Sequence, residues 1–548
     1  MEVTDRIDGP DGVVDAVVDA TEPVGRQAAA DVTRYLAAAA YLDETFRAAV
    51  IAQTLQQKFR FIAPSYGVNI SCVVRHCIAS RRLSRRRDVI LSALVFVGLW
   101  ALHLSLVFTL AIFVGGLLVA IALTSPKTKL RWRIFLSIVA YVAITAFALH
   151  PVSLLTALAA LFVVGADTYT RRYRVAARRM NGKDFKAHLP PYGREHSHHQ
   201  ASDERRVAHL VGHQDGNVVV YSGFSPFIGS GIELMSWRSS LAINVTRARD
   251  GFREADSPGP IETEDVYAHV IEAMNGLGLK GCSAADRFYI SGGHVGGDKQ
   301  LYFYPKAPHD RFPRLRSSID EVAKLEAKPP EAVRRYADIK VVSWDSQLIL
   351  SAFVRFSRHS HYLFVEWSYF LLPPLKPHYF DINRLNPRPT PHEWLRLVVD
   401  STKKMPLLWL EAPLREAKWI GTPISRARRE YQVEQAIREN PSFDYGALGS
   451  IRESGSNPVY GKYFQQRDIE GFHKIIHRNL LESISEFLKE RGVDTSDLDF
   501  VRVNINLLST VGNLMGTNLQ VGNEREMNIW LGKDVGGRRQ HPPRSGVP

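Results

Sequence analysis

Three stretches of the chain carry residue types that could do chemistry. The first is Phe224-Ser225-Pro226-Phe227-Ile228-Gly229-Ser230-Gly231, where two glycines flank a serine. Glycine-rich turns can aim backbone amides at one point and hold a phosphate there. The full mechanism also wants a helix N-terminus behind the amides. Here the next segment, from Trp237, reads as a strand, and no GxxxxGKS/T stretch occurs, so the loop reads as a sharp turn. The second stretch is Gly292-Gly293-His294-Val295-Gly296-Gly297-Asp298-Lys299. It falls between expected strands at 287–290 and 301–304, and a hairpin connection accounts for its glycines. The third is a histidine group: His196, His198, His199, His209 and His213, with Asp203 and Asp215 nearby. The spacing of His209 and His213 would set two imidazoles on one helix face, as metal sites do. The first three histidines lie in a polar linker, however, and no HExxH or Cys/His framework accompanies them. Ser225 lacks the second glycine of a nucleophile elbow. No Ser or Cys is tied by position to a particular His and Asp. This reading assigns no catalytic, cofactor-binding or metal-binding residue, expects no cofactor, and leans away from an enzyme.

The elements that would position these stretches follow from periodicity and punctuation. Leu36, Ala39, Leu42, Phe46, Val50 and Leu55 recur at near-helical spacing across 24–60. The turn Ala63-Pro64-Ser65-Tyr66-Gly67 follows, and a second helix begins near Asn69. Further on, the pattern predicts strands at 217–221 and 237–246 and a helix at 263–274. A hairpin of 340–356 with 362–372 comes next, rich in Val, Ile, Phe, Trp and Tyr. Helices at 391–404, 425–440 and 466–491 and a strand at 501–507 complete it. Strands and helices are partly segregated, which points to α+β rather than a doubly wound sheet. The apolar segment 407–414 (LLWLEAPL) carries Glu411 and reads as ordinary core, with a place at the bilayer interface beside the basic clusters as the alternative. The domain boundaries read as 1–23 acidic tail, 24–87 helical hairpin, 88–166 transmembrane region, 167–205 basic and His-rich linker, 206–507 α+β domain, and 508–548 Gly/Asn-rich tail.

The transmembrane assignment rests on two runs, 89–126 and 134–166, that contain no Asp, Glu, Lys or Arg. Basic clusters stand before, between and after them: Arg75, Arg81, Arg82, Arg85, Arg86 and Arg87; then Lys127, Lys129, Arg131 and Arg133; then Arg171, Arg172, Arg174, Arg178 and Arg179. A single helix over the first run would be roughly 57 Å long, too long for one span. A hairpin in each run fits better and places all three clusters on the cytosolic side. The second hairpin would turn at His150-Pro151 and the first near His103. The expected fold class is thus membrane α-helical, two helical hairpins and four short spans, plus a large cytosolic α+β domain. The net charge is +13, and the three clusters account for all of it. The basicity is therefore read as a topology signal, and nucleic acid is excluded as a partner. Cys72, Cys77 and Cys282 are too few for a disulfide framework and read as buried or free thiols.

Two resemblances bear on function. Leu519-Gln520-Val521-Gly522 resembles the Gln-containing core of amyloid signalling motifs, whose strands stack in register. The plainer reading is an edge strand and turn. The FSPFIGSG loop followed by Trp237, with Arg34-Tyr35-Leu36 and Arg75-His76-Cys77, is similar to an uncharacterised actinobacterial family of multi-pass membrane proteins. That resemblance implies a bacterial plasma-membrane protein and carries over no site residue. The reading is therefore an integral membrane protein, multi-pass with both termini cytosolic, bearing an interaction, scaffolding or signalling domain. Its alternatives are a membrane-tethered nucleotide-binding or hydrolytic enzyme, and a membrane-shaping or pore-forming protein. The expected partners are the lipid bilayer and proteins or further copies of the chain.

Overall fold

The computed structural model describes residues 23–57, 59–122, 155–180, 216–243, 245–248, 251–254, 261–295, 333–440, 442–457 and 462–493, with a few single positions between them. These lie in the first of two compact units, Met1–Thr495; the second, Ser496–Pro548, falls outside the described residues. The expected strands at 301–304 and 501–507, the Gly/Asn tail with Gln520, and the turn at His150-Pro151 also fall outside them.

A six-stranded mixed sheet organises the unit. Its strands are β1 (Val218–Tyr221), β2 (Ile232–Ala242), β5 (Cys282–Ser291), β6 (Val333–Ser343), β7 (Leu348–His359) and β8 (Tyr362–Leu372), in the order β1-β5-β6-β7-β8-β2. β1 and β5 pair in parallel and the other neighbours are antiparallel. A separate two-stranded ribbon joins β3 (Val245–Ala248) to β4 (Gly251–Glu254). β6 and β7 are two strands where the sequence reads one continuous segment. Trp344, Asp345 and Ser346 all adopt positive φ, and Gln347 N–H closes the turn on the Trp344 carbonyl at 3.0 Å. None of the three is glycine, so the usual signal for left-handed backbone was missing.

One face of the sheet is covered by helices α5 (Thr263–Asn275) and α7 (Tyr463–Glu490), numbered in chain order with those that follow. The Tyr267 hydroxyl accepts from Phe356 N–H at 3.0 Å and donates to the Arg335 carbonyl at 2.9 Å. His477 Nδ1 meets the Tyr369 hydroxyl at 3.0 Å. The other face is covered by the Phe227 loop and by the segment around Tyr66.

The N-terminal half is helical: α1 (Pro23–Leu42), α2 (Glu44–Ile51), which passes into the π-helical turn Ala52–Gln56, α3 (Ile70–Ala122), and α4 (155–169), which passes into the π-helical stretch Thr170–Ala177. Asn69 caps α3 by accepting Cys72 N–H at 3.0 Å. A long helix, α6 (Pro391–Glu439), starts at a Thr390/Glu393 capping box and packs beside α3. It runs through Pro406 and Pro413 and joins the helices expected at 391–404 and 425–440 into one element.

This arrangement corrects the membrane reading. The run from 89 does not fold back near His103. It continues a single helix that begins at Ile70 among polar and charged residues and passes through Gly115 and Gly116. Among the described residues no helix is long and apolar enough to cross a membrane. The basic clusters also have a different physical reason: Arg87 and Arg171 are held by ion pairs and hydrogen bonds that tie the helices together. Arg87 Nη1 lies 3.1 Å from Asp167 Oδ2, and Arg171 Nε lies 2.9 Å from Asp167 Oδ1. Arg171 also donates to Ser80 and Ser84, each at 2.9 Å. Asp88 joins Arg87 at 2.8 Å to Arg415 of α6 at 3.4 Å. Directly above this network, Leu91, Ala160, Val164 and Ala412 pack as a shared core of α3, α4 and α6. Part of the apolar sequence thus serves packing within the protein. The far sides of these helices keep Phe96, Trp100, Phe162 and Leu410 exposed. The four spans, the multi-pass topology with cytosolic termini, the plasma-membrane location and the integral-membrane function, together with its tethered-enzyme and pore-forming alternatives, lose their basis. What stands in their place is an α+β fold built on the mixed sheet.

Candidate ligand site beneath the Phe227 loop

The sheet face under the Phe227 loop has two parts. At its centre, Phe227 stacks on Phe353 with centroids 4.2 Å apart and meets Tyr289, Tyr336 and Phe370 at 5.0–5.1 Å. Beside this aromatic patch the face turns polar. Alternation along a strand places Arg287 and Tyr289 of β5, and Asp338 and Lys340 of β6, on this same side. Ser351 of β7 pairs in register with Lys340.

Both cations converge on one carboxylate oxygen. Arg287 Nε lies 2.7 Å from Asp338 Oδ2, and Lys340 Nζ contacts the same atom. The Tyr66 ring covers them, with Lys340 Nζ 3.9 Å from its centroid and the Arg287 guanidinium 5.5 Å away. Burial, reinforced by Arg287 and opposed by Asp338, pushes the Lys340 ammonium down to about 7. Burial drives the Tyr66 and Tyr289 hydroxyls upward, so both stay protonated as donors. Buried atoms of this cluster with no hydrogen-bond partner include Arg287 Nη1, Tyr66 OH, Tyr289 OH, Asp338 Oδ1 and Ser351 Oγ. Buried polar atoms are almost always satisfied, by protein, ordered water or ligand.

The glycines of the loop have a local explanation. Gly229 and Gly231 adopt φ of +96° and +89°. A Cβ on Gly231 would stand 2.1 Å from the Leu371 carbonyl oxygen. Their two amides converge as an anion nest does, but the acceptor is internal: both donate to Glu453 Oε1 at 2.9 Å. Burial raises the Glu453 carboxyl above its ordinary range against those two bonds. Adjacent Arg452 is fully buried, and its guanidinium donates to the Gln347 and Pro373 carbonyls. Ser230 is buried, whereas Ser225 sits in the exposed part of the loop.

The second glycine stretch begins as a 3-10 turn, Gly292–His294. Gly292 is there for close chain approach, since a Cβ would overlap Asp444 and Gly446. Of the histidine group, all five residues lie outside the described residues. Asp203 is described and faces Arg81 at 3.8 Å, and Asp215 is not described. Among the described residues no group of three or more His, Cys, Asp and Glu side chains is placed to hold a metal ion. Cys72 and Cys77 are free and buried, and burial pushes both thiols up to about 12, which leaves them unreactive.

Sequence reasoning missed the polar cluster. Its signal was present: Asp338 and Lys340 sit two apart in the otherwise apolar run Ala337–Val342, a pattern that puts two charges on one buried face.

The fold and site define an α+β protein whose sheet is closed by helices on one face and by a loop over a polar cluster on the other. Residues 237–523 match the family described as AbeC-like domain. That is more than half of the chain, and the protein belongs to the AbeC-like domain family. The match begins at Trp237, so Arg287, Asp338, Lys340 and Glu453 lie within it, while Tyr66 and the Phe227 loop precede it. No curated protein and no solved structure matches the chain.

Proposed function

We propose that this chain binds a small oxyanion between the sheet and the Phe227 loop, in the layer around Arg287 and Lys340. The observation that carries this reading is the convergence of three buried, unpartnered donors, Arg287 Nη1, Tyr289 OH and Ser351 Oγ, on the layer where Arg287 and Lys340 share one carboxylate. An anion on Arg287 Nη1 would be held by a guanidinium whose Nε already meets Asp338 Oδ2. The Tyr289 and Ser351 hydroxyls supply neutral donors beside it. Desolvated donors of this kind bind an anion far more strongly than exposed ones, because removing the ion would leave them unsatisfied again.

The test is calorimetry on the full chain with acetate, phosphate and sulfate, with acetamide as the uncharged control. One equivalent of oxyanion should bind, and acetamide should not. Arg287→Met should abolish binding, and Tyr289→Phe, which preserves the ring packing, should weaken it about tenfold. Absence of binding by every oxyanion would mean that water fills the layer, and the reading would fail.

A further inference from the structure

We infer that Lys340 captures a 2-oxo acid as an imine, with the acid's carboxylate seated on Arg287. This rests on the oxyanion reading above and names its ligand class.

The argument starts from the shared oxygen. Asp338 Oδ2 is the contact atom for both Lys340 Nζ and Arg287 Nε. One carboxylate cannot neutralise two buried cations. A guanidinium does not give up its proton in proteins, whereas a buried ammonium does so readily. The excess positive charge is therefore relieved at Lys340, whose amine becomes neutral near pH 7. A desolvated, neutral lysine beside a second cationic group is the arrangement that activates an amine toward carbonyl compounds.

The neighbouring groups select which carbonyl compound fits. Arg287 Nη1 is buried and unpartnered, and it can donate to an anionic carboxylate. The cations reach one atom, so the carboxylate and the electrophilic carbon of the ligand must lie close together, as they do when carbonyl and carboxylate are adjacent. Tyr289, two positions from Arg287 on the same face, offers a protonated hydroxyl to the carbonyl oxygen.

The step balances without an oxidant, reductant or co-reactant. The Nζ lone pair forms a bond to the carbonyl carbon, and the C=O π pair moves to oxygen, which takes up a proton. Nitrogen loses its two protons in the course of the sequence, and the former carbonyl oxygen leaves as water while the C=N bond forms. The reverse path returns the 2-oxo acid and the free amine.

The experiment incubates the full chain with pyruvate and sodium cyanoborohydride at pH 7 and locates the reduced adduct by peptide mass spectrometry. Lys340 should be modified at least on the order of tenfold faster than exposed Lys403 and Lys404. Acetate should slow the reaction at Lys340 alone, and its rate should rise through about pH 7. Lys340→Arg should lose the adduct, while circular dichroism checks that the variant folds. Modification of Lys340 no faster than of Lys403 would overturn the inference. If acetate still binds in an Arg287-dependent manner under that outcome, the oxyanion reading survives. If acetate does not bind either, both readings fall together.

Discussion

Glu453 Oε1 accepts the amide N–H of Gly231 at 2.9 Å, and the same oxygen accepts that of Gly229 at the same distance. A side chain from far along the sequence thus fills a nest that a glycine-serine-glycine loop would otherwise offer to a phosphate. Replacing Glu453 by Ala leaves two buried amides unpaired and should cost about 1–3 kcal/mol. Glu453→Gln keeps an acceptor oxygen and should remain close to the parent. Thermal denaturation of the two variants checks the ordering, and equal losses would assign the effect to charge instead.

Asp167 receives Arg87 Nη1 on Oδ2, and Arg171 Nε meets both of its oxygens at 2.9 Å. Both arginines are largely buried, so removing the carboxylate leaves two cations without their shared partner. Asp167→Asn should destabilise the chain by about 3–5 kcal/mol. Chemical denaturation measures it, and a loss below about 1 kcal/mol would mean the pair behaves as a surface salt bridge.

Phe227 is the centre of the aromatic patch over the sheet, stacked on Phe353. Truncation to Ala should cost about 3–5 kcal/mol. Phe227→Leu fills part of the same volume and should cost less. If the oxyanion layer depends on this cover, anion affinity should fall in step with the stability of the loop, measured by calorimetry alongside denaturation.

His473 and His477 lie one helical turn apart under the sheet, rings nearly parallel with centroids 5.7 Å apart. Burial, with His477 and Lys474 adding to it, pushes His473 down to about 3, and burial pushes His477 down to about 4. Above about pH 6.5 both are neutral in the folded and unfolded chain, and stability is at its full value. Below that, the unfolded chain takes up protons that the folded chain refuses. Stability therefore falls as pH drops from about 6.5 toward 4 and then 3. His473→Phe should remove about 1.4 kcal/mol per pH unit of that slope near pH 5. Unchanged acid sensitivity in the variant would place the titration elsewhere.

Local pattern made much of the scaffold legible. The Asn69 cap, the helix at 263–274 and the strand ending at Tyr221 are carried by short-range signals. The readings that failed depended on what lies across the fold. Nothing near Arg171 in sequence announces Ser80 or Ser84, so its charge read as a flank of an apolar run when it is a link between helices. The helices expected at 391–404 and 425–440 are one element, because the packing of α6 on α3 is not visible locally. At the site, the chain shows Asp338 and Lys340 two apart but hides Arg287 on the neighbouring strand and Tyr66 from the N-terminal region. The Gly229–Gly231 loop was visible as a turn, and its acceptor Glu453 was not.

Leu36 of α1 packs in one core with Leu375, Tyr379 and Ile451. This sets a timetable for synthesis. A nascent chain emerges from the ribosome N-terminus first, and α1 is among the earliest elements out. Residues of α2 and α3 cover part of its apolar side early, and the rest waits for Leu375, Tyr379 and Ile451. During that interval the exposed face of α1 is a target for chaperones, and stalling or premature release before Ile451 should leave a product held by them instead of a folded intermediate.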